Sequence, residues 1–280
     1  GDSFTHCDQV SNDETWPAQI ERSNKKFEVM NFGVGGYGTD QAFLRYKIEG
    51  VKYKPDFVLI GLQPENIKRI LNVYRPFYDE KTNLTLSKPR FKINDGELKI
   101  ISNPLSKIDD YKRLIKNPEV LLPILGKNDF FYNSKYGVGS FDFISFIKLF
   151  KILSSAISSN GPTNSIDGRY KRNSEHFNLL TMIIDAFYKE VIKNGSIPIV
   201  VIFPNQYDIS LKRNGSDHTY RPLLDFLEQK KMSYIDTFPI IKQSNPSLDL
   251  NKLFSGHYTA YTNSVIADGI IKYFEDRLIY

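Results

Sequence analysis

A serine stands third in Gly1-Asp2-Ser3-Phe4-Thr5, and four histidines, at positions 6, 176, 218 and 257, are the imidazoles available to take its proton. A serine hydroxyl is a weak nucleophile by itself. Attack on an ester requires a base within hydrogen-bond reach and donors for the oxyanion that forms. His257 is the best-placed base: it follows Gly256 in Phe254-Ser255-Gly256-His257-Tyr258-Thr259, just before an apolar-periodic run that reads as the last helix. A loop in that position can aim an imidazole at a neighbouring strand end. The plain alternative is a capping or core histidine. His6, one helical turn past Ser3, is directed back into its own helix. Donors can come from two stretches that each follow a predicted strand, the glycine-rich Asn31 to Gly38 and Gly61-Leu62-Gln63-Pro64-Glu65-Asn66. Glycines there let the backbone turn sharply with its N–H groups exposed, although a plain strand-to-helix turn has the same composition.

These residues need a scaffold, and the periodicity supplies one. Phe27 to Asn31 reads as a short strand, preceded by a helix over Glu14 to Glu21 and followed by a Thr39-Asp40 cap that opens a helix from Gln41 to Gly50. Pro55 to Leu62 has the continuous apolar character of a parallel strand covered on both faces. After a less regular middle come a helix over 174–193 stopped by Asn194-Gly195, a strand over Ile197 to Phe203, a helix over Tyr220 to Lys230, a strand over Met232 to Ile235 and a helix over Ala260 to Leu278. Strands alternating with helices predict a parallel sheet with its site at the carboxyl ends of the strands, where Ser3, Gly36 and Asn66 all fall.

From about 71 to 172 the alternation stops. Pro89 to Ile101 is a hairpin by pattern around Asn94-Asp95-Gly96, Phe141 to Ile157 reads as an amphipathic helix, and 158–172 reads as a loop. The expectation is one domain over 1–280 with an insertion at about 71–172. Its Tyr74, Tyr78, Phe130, Phe131, Tyr132 and Tyr136 suit either packing or stacking on sugar rings.

Taken together, GDSFT, NFGVGGYG, an asparagine after the strand at 55–62 and a C-terminal GHYT resemble the SGNH (GDSL-type) hydrolase family in chain order and in strand-end placement. The resemblance covers the N-terminal quarter and the C-terminal third. It implies a three-layer α/β/α sandwich around a mainly parallel, flavodoxin-like sheet. It also implies a serine esterase in which Ser3 is nucleophile and His257 base, while the Ser3 and Gly36 amides and the Asn66 side chain form the oxyanion hole. The expected activity is hydrolysis or transfer of a small acyl ester, foremost an O-acetyl group on a carbohydrate or cell-envelope glycan. The alternatives are a degenerate carbohydrate-binding module on the same fold and a lipid esterase. Two departures stand out. The family places glycine before and aspartate after its asparagine, where this chain has Glu65 and Ile67. The aspartate that commonly lies three positions before the histidine is Phe254 here, leaving a main-chain carbonyl, or Asp249 or Asp236, to orient the ring.

Composition narrows the classes. The chain has 280 residues, 41% of them hydrophobic, and a formal charge of +5 from lysines scattered along its length instead of a block that would track a phosphate backbone. No nucleic-acid partner is therefore expected. The lone Cys7 excludes an internal disulfide, and neither metal nor organic cofactor is required by the chemistry above. No apolar run approaches the roughly 20 residues of a membrane span. The GDS turn should follow a buried strand, so a preceding strand is expected outside this sequence, and the compartment leans towards periplasm or cell envelope.

Overall fold

The computed structural model describes residues 1–132 and 169–278. In chain order its helices are α1 (Ser3–His6), α2 (Trp16–Ser23), α3 (Thr39–Ile48), α4 (Asn66–Arg69), α5 (Arg75–Tyr78), α6 (Ile108–Lys116), α7 (Pro118–Gly126), α8 (Glu175–Lys193), α9 (Gln206–Arg213), α10 (Arg221–Gln229), α11 (Thr237–Ser244), α12 (Leu250–Leu253) and α13 (Ala260–Leu278). Its strands are β1 (Phe57–Leu62), β2 (Arg90–Asn94), β3 (Glu97–Ile101), β4 (Ile197–Ile202), β5 (Tyr234–Asp236), β6 (Phe254–Ser255) and β7 (His257–Tyr258). The chain divides into two compact units, Gly1–Asn66 with Ile184–Tyr280, and Ile67–Ile183.

The first unit is mixed α/β. A parallel sheet in the order β1-β4-β5 sets Phe57 opposite Ile197 and Val200 opposite Tyr234. Alternate residues of β4 point to opposite faces, and both faces are buried, which explains the unbroken apolar run IPIVVI. Ile199 and Val201 join a core with Trp16 and Ile20 of α2, Ile241 of α11, and Ile266, Ile270 and Phe274 of α13. On the other side α3 packs on β1, and the Phe43 and Tyr46 rings each lie 6.2 Å from Phe187 of α8. Helices thus flank the sheet.

The predicted strand over Phe27 to Asn31 does not form. That stretch is extended, but among the described residues no strand pairs with it; the Val29 N–H donates to Glu21 Oε1 at 2.7 Å instead. Two helix starts also move. Thr15 caps α2 through its hydroxyl, while Asn12–Glu14 forms a separate 3₁₀ turn, and Gly38 is the N-cap of α3.

The second unit contains the predicted hairpin, with Arg90 opposite Ile101 and Asn94 opposite Glu97. Its Tyr74, Phe77, Leu105, Leu114, Leu125 and Phe131 form a core against which Tyr78, Phe130 and Tyr132 pack, so these aromatics are packing residues. Asp129 is fully buried beneath them. Its carboxylate accepts from Asn72 Nδ2 at 2.9 Å and from the N–H groups of Phe131 and Tyr132 at 2.9 and 3.1 Å, as a buried acceptor must. Tyr136, the helix expected over Phe141 to Ile157 and most of the loop at 158–172 lie outside the described residues. No described helix is long and apolar enough to cross a membrane.

Candidate active site

Ser3 opens α1, a single helical turn whose N-cap is Asp2: Asp2 Oδ1 accepts from the Phe4 N–H at 3.0 Å, the usual service of an aspartate at that position. The turn closes when the Cys7 N–H donates to Ser3 O at 2.8 Å, with Cys7 in the left-handed region at φ +68°. Five contacts seat this turn. Trp16 Nε1 donates to Phe4 O at 3.2 Å, Asn31 Nδ2 to Thr5 O at 2.8 Å, and the Val34 N–H to Gly1 O at 3.1 Å. Gly33 lies so close that a Cβ on it would fall 2.3 Å from the His6 nitrogen. At the end of β1, a Cβ on Gly61 would meet Thr5 Oγ1 at 2.0 Å. The glycine-rich stretch therefore serves first as a floor on which the backbone of α1 rests.

His257 stands on β7, in a two-residue antiparallel ladder with β6 that turns at Gly256, φ +78°. α1 packs against β7. The Phe4 ring lies 5.2 Å from the His257 imidazole and meets Tyr258 edge-on at 4.8 Å, while Tyr258 Oη donates to Pro204 O at 2.6 Å. The His257 N–H donates to Gln9 Oε1 at 3.0 Å. The two ends of the chain that carry Ser3 and His257 are thus in contact through Phe4. No hydrogen bond among the described residues joins Ser3 Oγ to His257.

The orienting partner expected for His257 is not found among the described residues. Its Nδ1 is buried and, among the described residues, has no hydrogen-bond partner, neither a main-chain carbonyl nor a carboxylate. Asp236 is the N-cap of α11 and accepts from the Phe238 N–H at 3.0 Å and from Tyr220 Oη at 3.1 Å; Asp249 caps α12 and accepts from the Asn251 N–H at 3.1 Å. Both aspartates are occupied in holding helix ends. Their proximity to His257 in sequence suggested an orienting role, and the structure gives each a helix cap instead.

Asn66 opens α4 just past β1, donates its N–H to Gln63 O at 2.8 Å and is 1% exposed, with Oδ1 buried and unpartnered. No hydrogen bond among the described residues ties it to Ser3 or His257. Gly36 turns the chain at φ +82° ahead of α3. His6, expected to turn back into its own helix, points to solvent instead, its Nδ1 2.7 Å from Asp8 Oδ1, and helps line a cavity of about 270 Å³ with Asn12, Thr15, Glu21, Val29 and Asn31 that Ser3 does not line. Cys7 offers no competing nucleophile: burial pushes its thiol up to about 12, far from thiolate at neutral pH. No three His, Cys, Asp or Glu side chains among the described residues converge as metal ligands.

No protein-family model matches the chain, and no curated protein matches it. Among solved structures it is similar to a protein of Desulfitobacterium hafniense DCB-2, provisionally described as a lipolytic protein of the G-D-S-L family, at 12% identity and a TM-score of 0.44, over 97% of this chain and 95% of that one. Likeness at that level bears on neither the reaction nor the residues that perform it.

Proposed function

We propose that the chain is a serine-dependent acyl hydrolase acting on a small acyl ester, foremost an O-acetyl group on a carbohydrate or cell-envelope glycan, with transfer to a second hydroxyl as the same chemistry. The observation that carries this reading is the packing of α1 on β7, which brings the segment of Ser3 against that of His257. In this reading Ser3 Oγ attacks the ester carbonyl while His257 takes its proton. The tetrahedral oxyanion is held by the Ser3 and Gly36 N–H groups and the Asn66 side-chain amide. Collapse of the intermediate expels the alkoxide, which His257 protonates, and leaves an acyl-Ser3. Water, or an acceptor hydroxyl, then gives its proton to His257 and attacks that acyl group, releasing acid or transferred ester and restoring Ser3.

The test is labelling with a fluorophosphonate, which traps an activated serine. Wild type should be labelled at Ser3 and should hydrolyse p-nitrophenyl acetate, and a folded Ser3→Ala variant should do neither. Turnover that survives in Ser3→Ala would remove the nucleophile. The unpartnered Nδ1 of His257 favours a second reading, a carbohydrate-binding module whose site no longer turns over. A wild type that binds acetylated glycan but resists labelling would select it. Faster hydrolysis of long-chain than of acetyl esters would select the lipid esterase.

A further inference from the structure

Gln9 lies six residues past Ser3 and holds an uncommon backbone conformation for its type, φ +73°, two residues after Cys7 at φ +68°. Such conformations persist in non-glycine residues where surrounding contacts over-determine them. At Cys7 the conformation closes α1. At Gln9 it accompanies a long-range contact, since the Gln9 Oε1 accepts the His257 N–H at 3.0 Å across 248 residues of sequence. The preceding residue fits around this bond. Gly256 is at φ +78°, and a Cβ there would lie 2.6 Å from Gln9 Oε1 and 3.0 Å from Nε2, so the glutamine amide occupies the space that any other residue would fill.

We propose that Gln9 is a positioning residue for His257, clamping the main chain of the base to the segment that begins with the nucleophile. The proposal rests on the reading of Ser3 and His257 given above. Its physical reason is the state of the imidazole: with no hydrogen bond at Nδ1 among the described residues, the ring lacks the side-chain tether that normally fixes a catalytic histidine. Its placement then depends on its backbone and on the Phe4 ring, 5.2 Å away and tilted 55° to it. Placement errors of about 1 Å at a proton-transferring group can lower a rate by roughly a hundredfold. A clamp on the peptide between Gly256 and His257 is therefore a control on the reaction, although it touches no substrate.

The experiment compares Gln9→Glu, which keeps an acceptor oxygen, with Gln9→Met, which keeps the length of the side chain and removes the acceptor. Gln9→Met should lower kcat for p-nitrophenyl acetate by about tenfold or more with KM nearly unchanged, slow fluorophosphonate labelling of Ser3 in proportion, and speed hydrogen exchange at the His257 amide. Gln9→Glu should stay within about threefold of wild type in all three. Gly256→Ala should reproduce the Gln9→Met pattern from the other side of the contact. Wild-type labelling together with unaltered labelling in Gln9→Met would overturn the inference alone. A wild type that is never labelled would overturn the proposed function and this role with it, while amide exchange would still report the contact itself.

Discussion

Asp236 ends β5 with a carboxyl group that burial makes hard to ionise, its pKa raised to about 6 against the opposing help of the Phe238 N–H and Tyr220 Oη. Because the folded chain holds this proton more tightly than the unfolded one, the carboxyl favours folding most below about pH 4, and that contribution is lost as pH rises through 6. Asn at this position keeps an oxygen for both donors and ionises at no pH. Asp236→Asn should therefore gain about 1–3 kcal/mol over wild type at pH 7 and little at pH 4, read from urea midpoints, and should leave labelling of Ser3 unchanged. A variant less stable than wild type at pH 7 would contradict the account. At this scale Ser3 and His257 were legible as candidates only, through GDSFT and through GHYT before the last helix. Gln9 was not: nothing in the type of an exposed glutamine announces a partner 248 positions away.

The seat of α1 depends on backbone contact with the glycine-rich stretch. A Cβ at Gly33 would fall 2.3 Å from the His6 nitrogen and 2.7 Å from the Thr5 carbonyl carbon, atoms that cannot swing aside as a flexible side chain can. Gly33→Ala should cost about 1–3 kcal/mol of stability, in the range of overpacking, and should slow labelling of Ser3 by lifting α1 from β7. Calorimetry with parallel labelling would read both, and an unaltered melting temperature would show that the floor is not tight. The long helices α8 and α13 and strands β1 and β4 were readable from period and caps. The predicted strand over Phe27 to Asn31 failed because its alternation is shared by any extended segment, and pairing depends on a partner elsewhere. The short helices α9, α11 and α12 were overlooked. α9 nonetheless carries a readable start, Asn205 and Asp208 in a reciprocal cap in which each side chain accepts the other's N–H at 3.0 Å.

All four proposed site residues, Ser3, Gly36, Asn66 and His257, belong to the first unit, Gly1–Asn66 with Ile184–Tyr280. We propose that the chain is one hydrolase-like domain with an insertion at about 71–172 that shapes substrate choice without supplying chemistry. Replacing 71–172 by a short Gly/Ser linker should preserve fluorophosphonate labelling of Ser3 while changing which esters are turned over. A folded deletion that cannot be labelled would place part of the chemistry in the insertion. The contact of α1 with β7 has a further consequence in time. It closes a loop that spans nearly the whole chain, and the entropy of closure grows with loop length, so contacts this distant in sequence tend to form after local ones. On refolding from denaturant, helical circular dichroism should return before reactivity at Ser3, which makes the labelling reagent a clock for the last step of folding. Simultaneous recovery of the two signals would mean that the termini meet early.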